Sequence, residues 1–451
     1  MLFGPFSAHS SSWTDTEAPL CRLSDIESTY TFHHLIGRGG FASVLLVSDK
    51  DSQNPQAIKA VSKEVVEKGG RHARRRALLE LEVLQRYAKK SPFLVQLAGL
   101  KNCPEYWFLV LEYCPGGSLS IHLRESRRQY KTRKEGRGQR RSTQSENGER
   151  MPIYSELMRG LGETRSHFYA VQITCAVSFL HSNGILHRDL KPSNCLLGAD
   201  GHIRLADFGT CKDVGCDAES LSDSEIRRLG TKLGTTDYMA PEVLRGHEYG
   251  KGIDWWSFGI LLHELIFGVL PFPGQNESDI ISLIVAEDDP VVESKNGAVS
   301  EEALDLLRLL LRKENDCRLG CSPSGAEQIL EHTWFDNKER SVRQIRARAC
   351  EPPWKPALRA GAADVEWVNK KWLGQSWSVP GTSIQVGTPA MQSGTEHKNR
   401  SAGLSPNSDL LRRRRNMSLE PLQGRTPKPP RRDDGPLGSL FFVFCCSDSV
   451  Y

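Results

Sequence analysis

HRDLKPSN, residues His187 to Asn194, puts an acid (Asp189), a cation (Lys191) and an amide (Asn194) on one short polar loop. In-line phosphoryl transfer needs these groups around one phosphate: one to orient the attacking hydroxyl, one to neutralise the moving phosphoryl, one to hold a metal. Eight residues can match by chance, so the weight falls on their neighbours. Eighteen residues after Asp189, Asp207-Phe-Gly209 follows the apolar run Ile203-Arg-Leu-Ala206. An acid at the end of a buried strand is well placed to take a metal ion.

Upstream, Ile36-Gly-Arg-Gly-Gly-Phe-Ala-Ser-Val44 is a glycine loop, with Gly37 and Gly39 in the first two positions and Ala42 in the third. Glycines let backbone N–H groups approach phosphate oxygens with no Cβ in the way. Fifteen residues past Val44 comes Ala57-Ile-Lys59. Lys59 needs a carboxylate to hold it. Arg74 to Tyr87 reads as a helix with Leu78, Leu81, Val83 and Leu84 on its apolar side. Glu80 and Glu82 lie roughly 200° apart around such a helix, so both cannot face one site. Glu80 is the choice, because Leu84 at i+4 then points inward.

In this order the motifs of about Tyr30 to Phe335 resemble a eukaryotic protein kinase. The resemblance implies an α+β, bilobal fold: a small, mostly β N-lobe and a larger, mostly α C-lobe. It implies an enzyme that moves the γ-phosphoryl of ATP to protein hydroxyls, with Mg²⁺, or alternatively Mn²⁺, as the metal. Asp189, Lys191, Lys59 and Glu80 become the catalytic set, and Asn194 and Asp207 the metal ligands. Nucleotide falls to Ile36, Gly37, Gly39, Val44, Ala57, Lys59 and Leu196, and to the backbones of Glu112 and Cys114 in the strand and hinge Leu109–Cys114, with Leu111 as gatekeeper. Asp254 is expected to brace the catalytic loop, and Arg318 to pair with Glu242 of Ala240-Pro-Glu242.

Lys191, two residues past Asp189, is the serine/threonine pattern. TKLGTTDYMAPE (231–242), SPFLVQL (91–97) and PPWKP (352–356) are similar to the AGC group. GHIRLADFG and TTDYMAPE lean towards the Rho-associated and myotonic-dystrophy kinases. Two departures stand out. Basic-directed AGC kinases often carry Glu where this chain has Ser118 and Ser193. Glu264 remains at a third such position. Reduced selection for an arginine three residues before the phosphoacceptor is therefore expected. The segment from Asp207 to Glu242 also looks lengthened around Ser220 to Ser224. Phosphate on Thr231, added by an upstream kinase, is expected to bind Arg188, read as an unpaired cation, with Lys212 and Arg76. A pseudokinase scaffold is the competing reading. Against it stand Lys59, Asp189, Asn194 and Asp207, all present.

Composition sets the outer bounds. The 451 residues suffice for a two-lobed domain with extensions, and the net charge of +4 does not mark a nucleic-acid binder. Twelve cysteines without a paired framework suggest a reducing compartment, hence the cytoplasm. No run approaches the ~20 apolar residues of a membrane helix. Residues 1–29 read as a flexible N-terminal segment and 30–335 as the kinase domain. Within it, about 124–152 reads as a disordered basic insert, ten Lys/Arg against four Asp/Glu over Arg124–Arg150. Residues 336–451 read as an AGC-type extension, largely disordered.

Short motifs punctuate that extension. Pro427 to Arg432 fits P-x-x-P-x-R, an SH3-ligand pattern, and Arg413-x-Arg415-x-x-Ser418 a basophilic phosphosite. Phe441-Phe-Val-Phe444 has three readings: a motif docking on the N-lobe, a membrane anchor through acylated Cys445 and Cys446 with the upstream basic residues, or a sticky terminus.

Overall fold

Strands with apolar side chains on both faces build the first lobe. β1 (Tyr30–Arg38), β2 (Ala42–Asp49), β3 (Pro55–Ser62), β4 (Leu97–Asn102) and β5 (Tyr106–Glu112) form one antiparallel sheet in the order β1-β2-β3-β5-β4. The computed structural model describes residues 21–136, 160–214, 236–290, 292–293, 298–336, 340–356, 377–378 and 385–386. Side chains alternate across each strand. Leu45, Val47, Ile58, Ala60, Phe108 and Val110 make an outer core. Val61 and Leu109 join the inner core, shared with helix α3 (Gly70–Tyr87) through Leu81, Val83 and Leu84.

An outer apolar face must be covered, and α1 (Leu23–Thr29) covers it, with Ile26 buried in that cluster. This corrects the expectation of a flexible segment up to residue 29. One buried apolar side chain on a seven-residue helix leaves too little periodicity to detect. α2 (Lys63–Lys68) follows β3, capped by the Ser62 hydroxyl, which accepts from the Val65 N–H.

The second lobe is helical, so the expected α+β, two-lobed kinase fold is the one found. α5 (Glu163–Ser182) and the helix Gly252–Phe267 form its centre. Every residue of Gly252–Phe267 is buried, Trp255 and Trp256 included. A helix apolar on all sides belongs in the middle of a lobe.

The expected disordered insert is also corrected in part. α4 runs from Leu119 to Gly136, through the first half of the basic stretch. Leu119 and Leu123 seat its first turns in the core, and the Ser126 hydroxyl donates to the Gly160 carbonyl at 2.6 Å. Two leucines at i and i+4 anchor a helix that carries only Ile121 besides them as an aliphatic side chain. The extension starts ordered: Ile345, on the helix Val342–Arg346, is fully buried, and the Trp354 ring meets His122 edge-on at 4.5 Å. The motifs at 413–418, 427–432 and 441–446 lie outside the described residues.

Three buried histidines predict acid sensitivity. Burial holds His34 (with His33 adding), His202 and His263 down at about 4. Their folded pKa values lie below the unfolded value near 6.5, so between about 4 and 6.5 the unfolded chain binds more protons. Stability should fall as pH drops through that window, by on the order of 3 kcal/mol per histidine at most. Thermal midpoints at pH 7.5, 5.5 and 4.5 check this. A flat series sinks it, and His263→Gln should flatten the slope.

Candidate active site

Two short ladders assemble the site. β6 (Ile185–Leu186) pairs with β9 (Lys212–Asp213), and β7 (Cys195–Leu197) with β8 (Ile203–Leu205). HRDLKPSN fills the gap between β6 and β7, and Asp207-Phe-Gly209 the gap between β8 and β9. Antiparallel pairing therefore sets the two loops side by side. Their backbones then lock: Ala206 N–H donates to Asn194 O at 2.9 Å, and the Thr210 hydroxyl to His187 O at 3.2 Å.

Within the loop, Lys191 Nζ donates to both Asp189 carboxylate oxygens, at 2.8 and 2.7 Å. Asn194 Nδ2 donates to Asp189 O at 2.8 Å and to Asp189 Oδ2 at 3.0 Å. The Asn194 amide oxygen is thereby left as the atom to offer a metal. Asp254, fully buried, accepts the N–H groups of His187 (2.9 Å) and Arg188 (2.8 Å) and meets His181 Nε2 at 2.8 Å. Burial pushes the Asp254 carboxyl up, but the His181 hydrogen bond and charge more than offset it, so it stays below the usual range. Arg188 and Asp207 both adopt left-handed backbone conformations, φ 65° and 64°. Such strain costs on the order of 1–3 kcal/mol per residue and persists only where surrounding bonds impose it. Asp254 imposes it at Arg188.

Lys59 meets Glu80 at 2.5 Å and Asp207 Oδ1 at 3.7 Å. Glu82 instead pairs with Arg86 one turn on, at the surface. Burial alone would lower the Lys59 pKa; the carboxylates of Glu80 and Asp207 outweigh it and hold the ammonium above the ordinary lysine value. Burial likewise pushes Asp207 up, but Lys59, His187 and Lys191 more than offset it. Asp207 is thus kept ionised, the state in which its carboxylate could take a metal.

A cleft of about 1160 Å³ runs between the lobes. Ile36, Gly37, Gly39, Val44 and Ala57 line it above, and Asp189, Asn194, Leu196 and Asp207 below. Glu112 and Cys114 close its back, beside Leu111. A Cβ on Gly37 would come no closer than 3.5 Å to anything, and one on Gly40 would meet nothing within 4 Å; neither backbone is left-handed. The fold does not demand glycine there. What glycine supplies is backbone without a side chain at the cleft wall, which leaves room for a triphosphate to approach. Oxygen donors at Asp207 and Asn194 suit a hard cation such as Mg²⁺. The cleft fits a metal–nucleotide complex.

Other expected groups sit differently. Arg188 was read as an unpaired cation. Its guanidinium donates to Thr210 O (2.6 Å), Cys211 O (3.1 Å) and the Tyr249 hydroxyl (3.3 Å). A half-buried guanidinium takes the carbonyls of the turn that leads into β9, which sequence spacing does not reveal. Arg76 Nε likewise donates to Gly209 O at 2.8 Å, and Lys212 lies on β9. Thr231 and Ser220 to Ser224 fall outside the described residues. Glu242 and Arg318 form a bidentate pair at 2.6 and 3.0 Å.

Two site features escaped sequence reasoning. Glu264 gives one oxygen to Arg127 Nη2 at 2.6 Å and the other to the Tyr238 hydroxyl. Arg127 also donates through Nε to Gly268 O at 2.6 Å. It belongs to the stretch expected to be a disordered insert, and only a helical reading of that stretch raises it. The second feature is Arg204 at 2.9 Å from Glu112, 92 residues away in sequence.

The protein kinase domain family matches residues 30–335. The chain belongs to the protein kinase family. This kinase is 33% identical over 335 residues to protein kinase C-like 1B of Caenorhabditis elegans, covering 73% of this chain and 40% of that one. Its identity to human protein kinase C eta type is 32% over 332 residues, covering 73% and 41%. To serine/threonine-protein kinase AtPK2/AtPK19 of Arabidopsis thaliana it is 34% over 366 residues, covering 80% and 66%. The kinase thus spans about two-fifths of the length of the protein kinase C relatives. These relatives agree with the AGC group. They give the Rho-associated and myotonic-dystrophy branch no support.

Proposed function

We propose that this kinase transfers the γ-phosphoryl group of ATP to serine and threonine hydroxyls of protein substrates. What carries the reading is the convergence of Asp189, Lys191, Asn194, Asp207 and the Lys59–Glu80 pair on one cleft. Asp189 orients the hydroxyl and accepts its proton. Lys191, here on Asp189, would offset charge on the γ-phosphoryl when nucleotide is bound. Lys59 would hold the α/β-phosphates, and Asn194 and Asp207 would hold the metal. Bound Mg²⁺ would offset charge spreading over the phosphoryl oxygens. The purified full chain with Mg·ATP and a degenerate Ser/Thr peptide library is the test. Phosphate on serine or threonine is expected. No transfer under conditions where nucleotide binds would end the proposal.

Weak selection for basic residues follows from Glu264. Both its oxygens are engaged, and hydroxyls stand at Ser118 and Ser193. In the same library, Arg127→Ala should release one oxygen and raise the preference for arginine about tenfold, equivalent to ~1.4 kcal/mol. A library profile unchanged by Arg127→Ala removes this account.

Activation by phosphate on Thr231 is the regulatory part of the proposal. A phosphate carries about −2 charge and competes well against neutral carbonyls for Arg188 and Arg76. Thr231→Ala should lower kcat/KM by about tenfold in protein treated with an activating kinase. Full activity in that variant would refute it. The Rho-associated likeness rests on GHIRLADFG and TTDYMAPE alone. The SH3-type partner at Pro427–Arg432, membrane association through Cys445 and Cys446, and a cytoplasmic location rest on sequence alone.

A further inference from the structure

Arg204 is the centre of a charge network outside the catalytic set. It lies on β8, three residues before Asp207, and is nearly fully buried. Its Nε donates to both carboxylate oxygens of Glu112, at 2.9 and 3.1 Å. Its Nη2 donates to Asp200 Oδ2 at 3.0 Å, and the same oxygen receives Arg348 from the C-terminal extension. The set is two cations and two anions, so each charge is compensated.

Glu112 is held a second way. Its Oε1 accepts the Gln96 N–H at 2.8 Å, and its own N–H donates to Gln96 O at 2.9 Å. The Gln96 side chain in turn donates to the carbonyls of Ala88, Ser91 and Leu94 at 2.7–3.1 Å. The hinge is therefore fixed from two sides: by the loop that follows α3, and by Arg204. Glu112 is also, with Cys114, one of the hinge residues whose backbones are expected to meet the nucleotide, and this inference rests on the function proposed above. Its carboxylate is occupied inside the protein, so its own effect on the nucleotide runs through where its backbone sits.

We infer that Arg204 is a positioning residue for the nucleotide: it fixes the hinge at Glu112, and by sharing Asp200 with Arg348 it makes that fixation depend on the docked segment 340–356. Two kinds of change separate this from a merely structural role. A structural defect lowers the active fraction, and with it apparent kcat, while leaving KM alone. Loss of positioning weakens nucleotide selectively.

The experiment uses the full chain and reads steady-state constants beside a calorimetric titration with Mg·ADP. Arg204→Met should raise both KM for ATP and the Kd for Mg·ADP about tenfold, with kcat and peptide KM changed less than about twofold. Arg204→Lys, which keeps one charge on Glu112, should recover most of the loss. Arg348→Ala should weaken nucleotide about threefold, and adding it to Arg204→Met should cause no further loss, since both act through Asp200. Unchanged nucleotide constants in Arg204→Met, equal losses for peptide and ATP, or independent addition of the Arg348 effect would each overturn the inference. If Arg204→Met does not fold, Asp200→Asn, which removes the anion shared by Arg204 and Arg348, should weaken nucleotide about threefold with kcat and peptide KM changed less than about twofold. Should the wild-type chain bind Mg·ADP yet transfer no phosphate, the function proposed above fails while the titration still decides the role of Arg204.

Discussion

Asp189→Asn is expected to lower kcat about a thousandfold while nucleotide affinity changes less than about threefold. The two parts rest on different contacts. Asp189 is the buried carboxylate that Lys191 and Asn194 surround within 3.0 Å. An amide in its place can neither take a proton nor offer two anionic oxygens, so the attacking hydroxyl loses its base and its orientation. Lys191 loses its anchor as well. Nucleotide, in contrast, is assigned by the proposed function to Lys59, the glycine loop and the hinge, whereas the Asp189 side chain bonds Lys191 and Asn194. Asn194 still donates to the unchanged backbone carbonyl of residue 189 at 2.8 Å, so the loop should keep its shape. Single-turnover kinetics beside a titration with Mg·ADP separate the two effects. Retained turnover would sink the assignment of Asp189; lost nucleotide binding would show that the substitution had damaged the fold.

Arg318→Met is expected to cost about 3–5 kcal/mol of stability. Arg318 is 2% exposed and uses its whole fork. Two donors go to Glu242, at 2.6 and 3.0 Å, and others to the carbonyls of Arg312, Gly252 and Lys313. Its guanidinium also lies 5.1 Å from the Trp256 ring centroid. Methionine fills the volume but leaves the Glu242 carboxylate buried and unpaired, along with three carbonyls. Lysine should not rescue fully, because a point charge cannot reproduce five planar donors. Denaturant midpoints for wild type, Arg318→Met, Arg318→Lys and the double variant Arg318→Met/Glu242→Gln read this out. The double variant should regain part of the loss. A single-variant cost under about 1 kcal/mol would show that the pair is not the anchor its geometry suggests.

Much of the fold was legible because its motifs are local. Glycine loop, buried strand and acid-ended strand each occupy fewer than about ten residues and obey period-two or turn rules. The same holds for α3, whose apolar face names Glu80 over Glu82 by rotation alone. The N-terminal helix was not legible, because what stabilises it is the outer face of a sheet formed by later strands. Leu23 and Ile26 are two apolar residues in a short polar stretch until that face exists. α4 was missed for the opposite reason. Its composition is that of a solvated charge run, and the apolar residues that seat it, Leu119 and Leu123, precede the basic stretch.

The chemistry at HRDLKPSN and DFG was therefore determined by sequence, since residue type and spacing decide which atoms a loop can offer. Tertiary structure alone decided how the charges are used. Arg188 spends its donors on carbonyls of Thr210 and Cys211, Arg127 covers Glu264, and Arg204 ties Glu112 to Asp200. A buried or half-buried charge must find a partner, and which partner it finds depends on distances between segments as far apart as 148 residues. Local pattern carries no record of those distances; packing sets them.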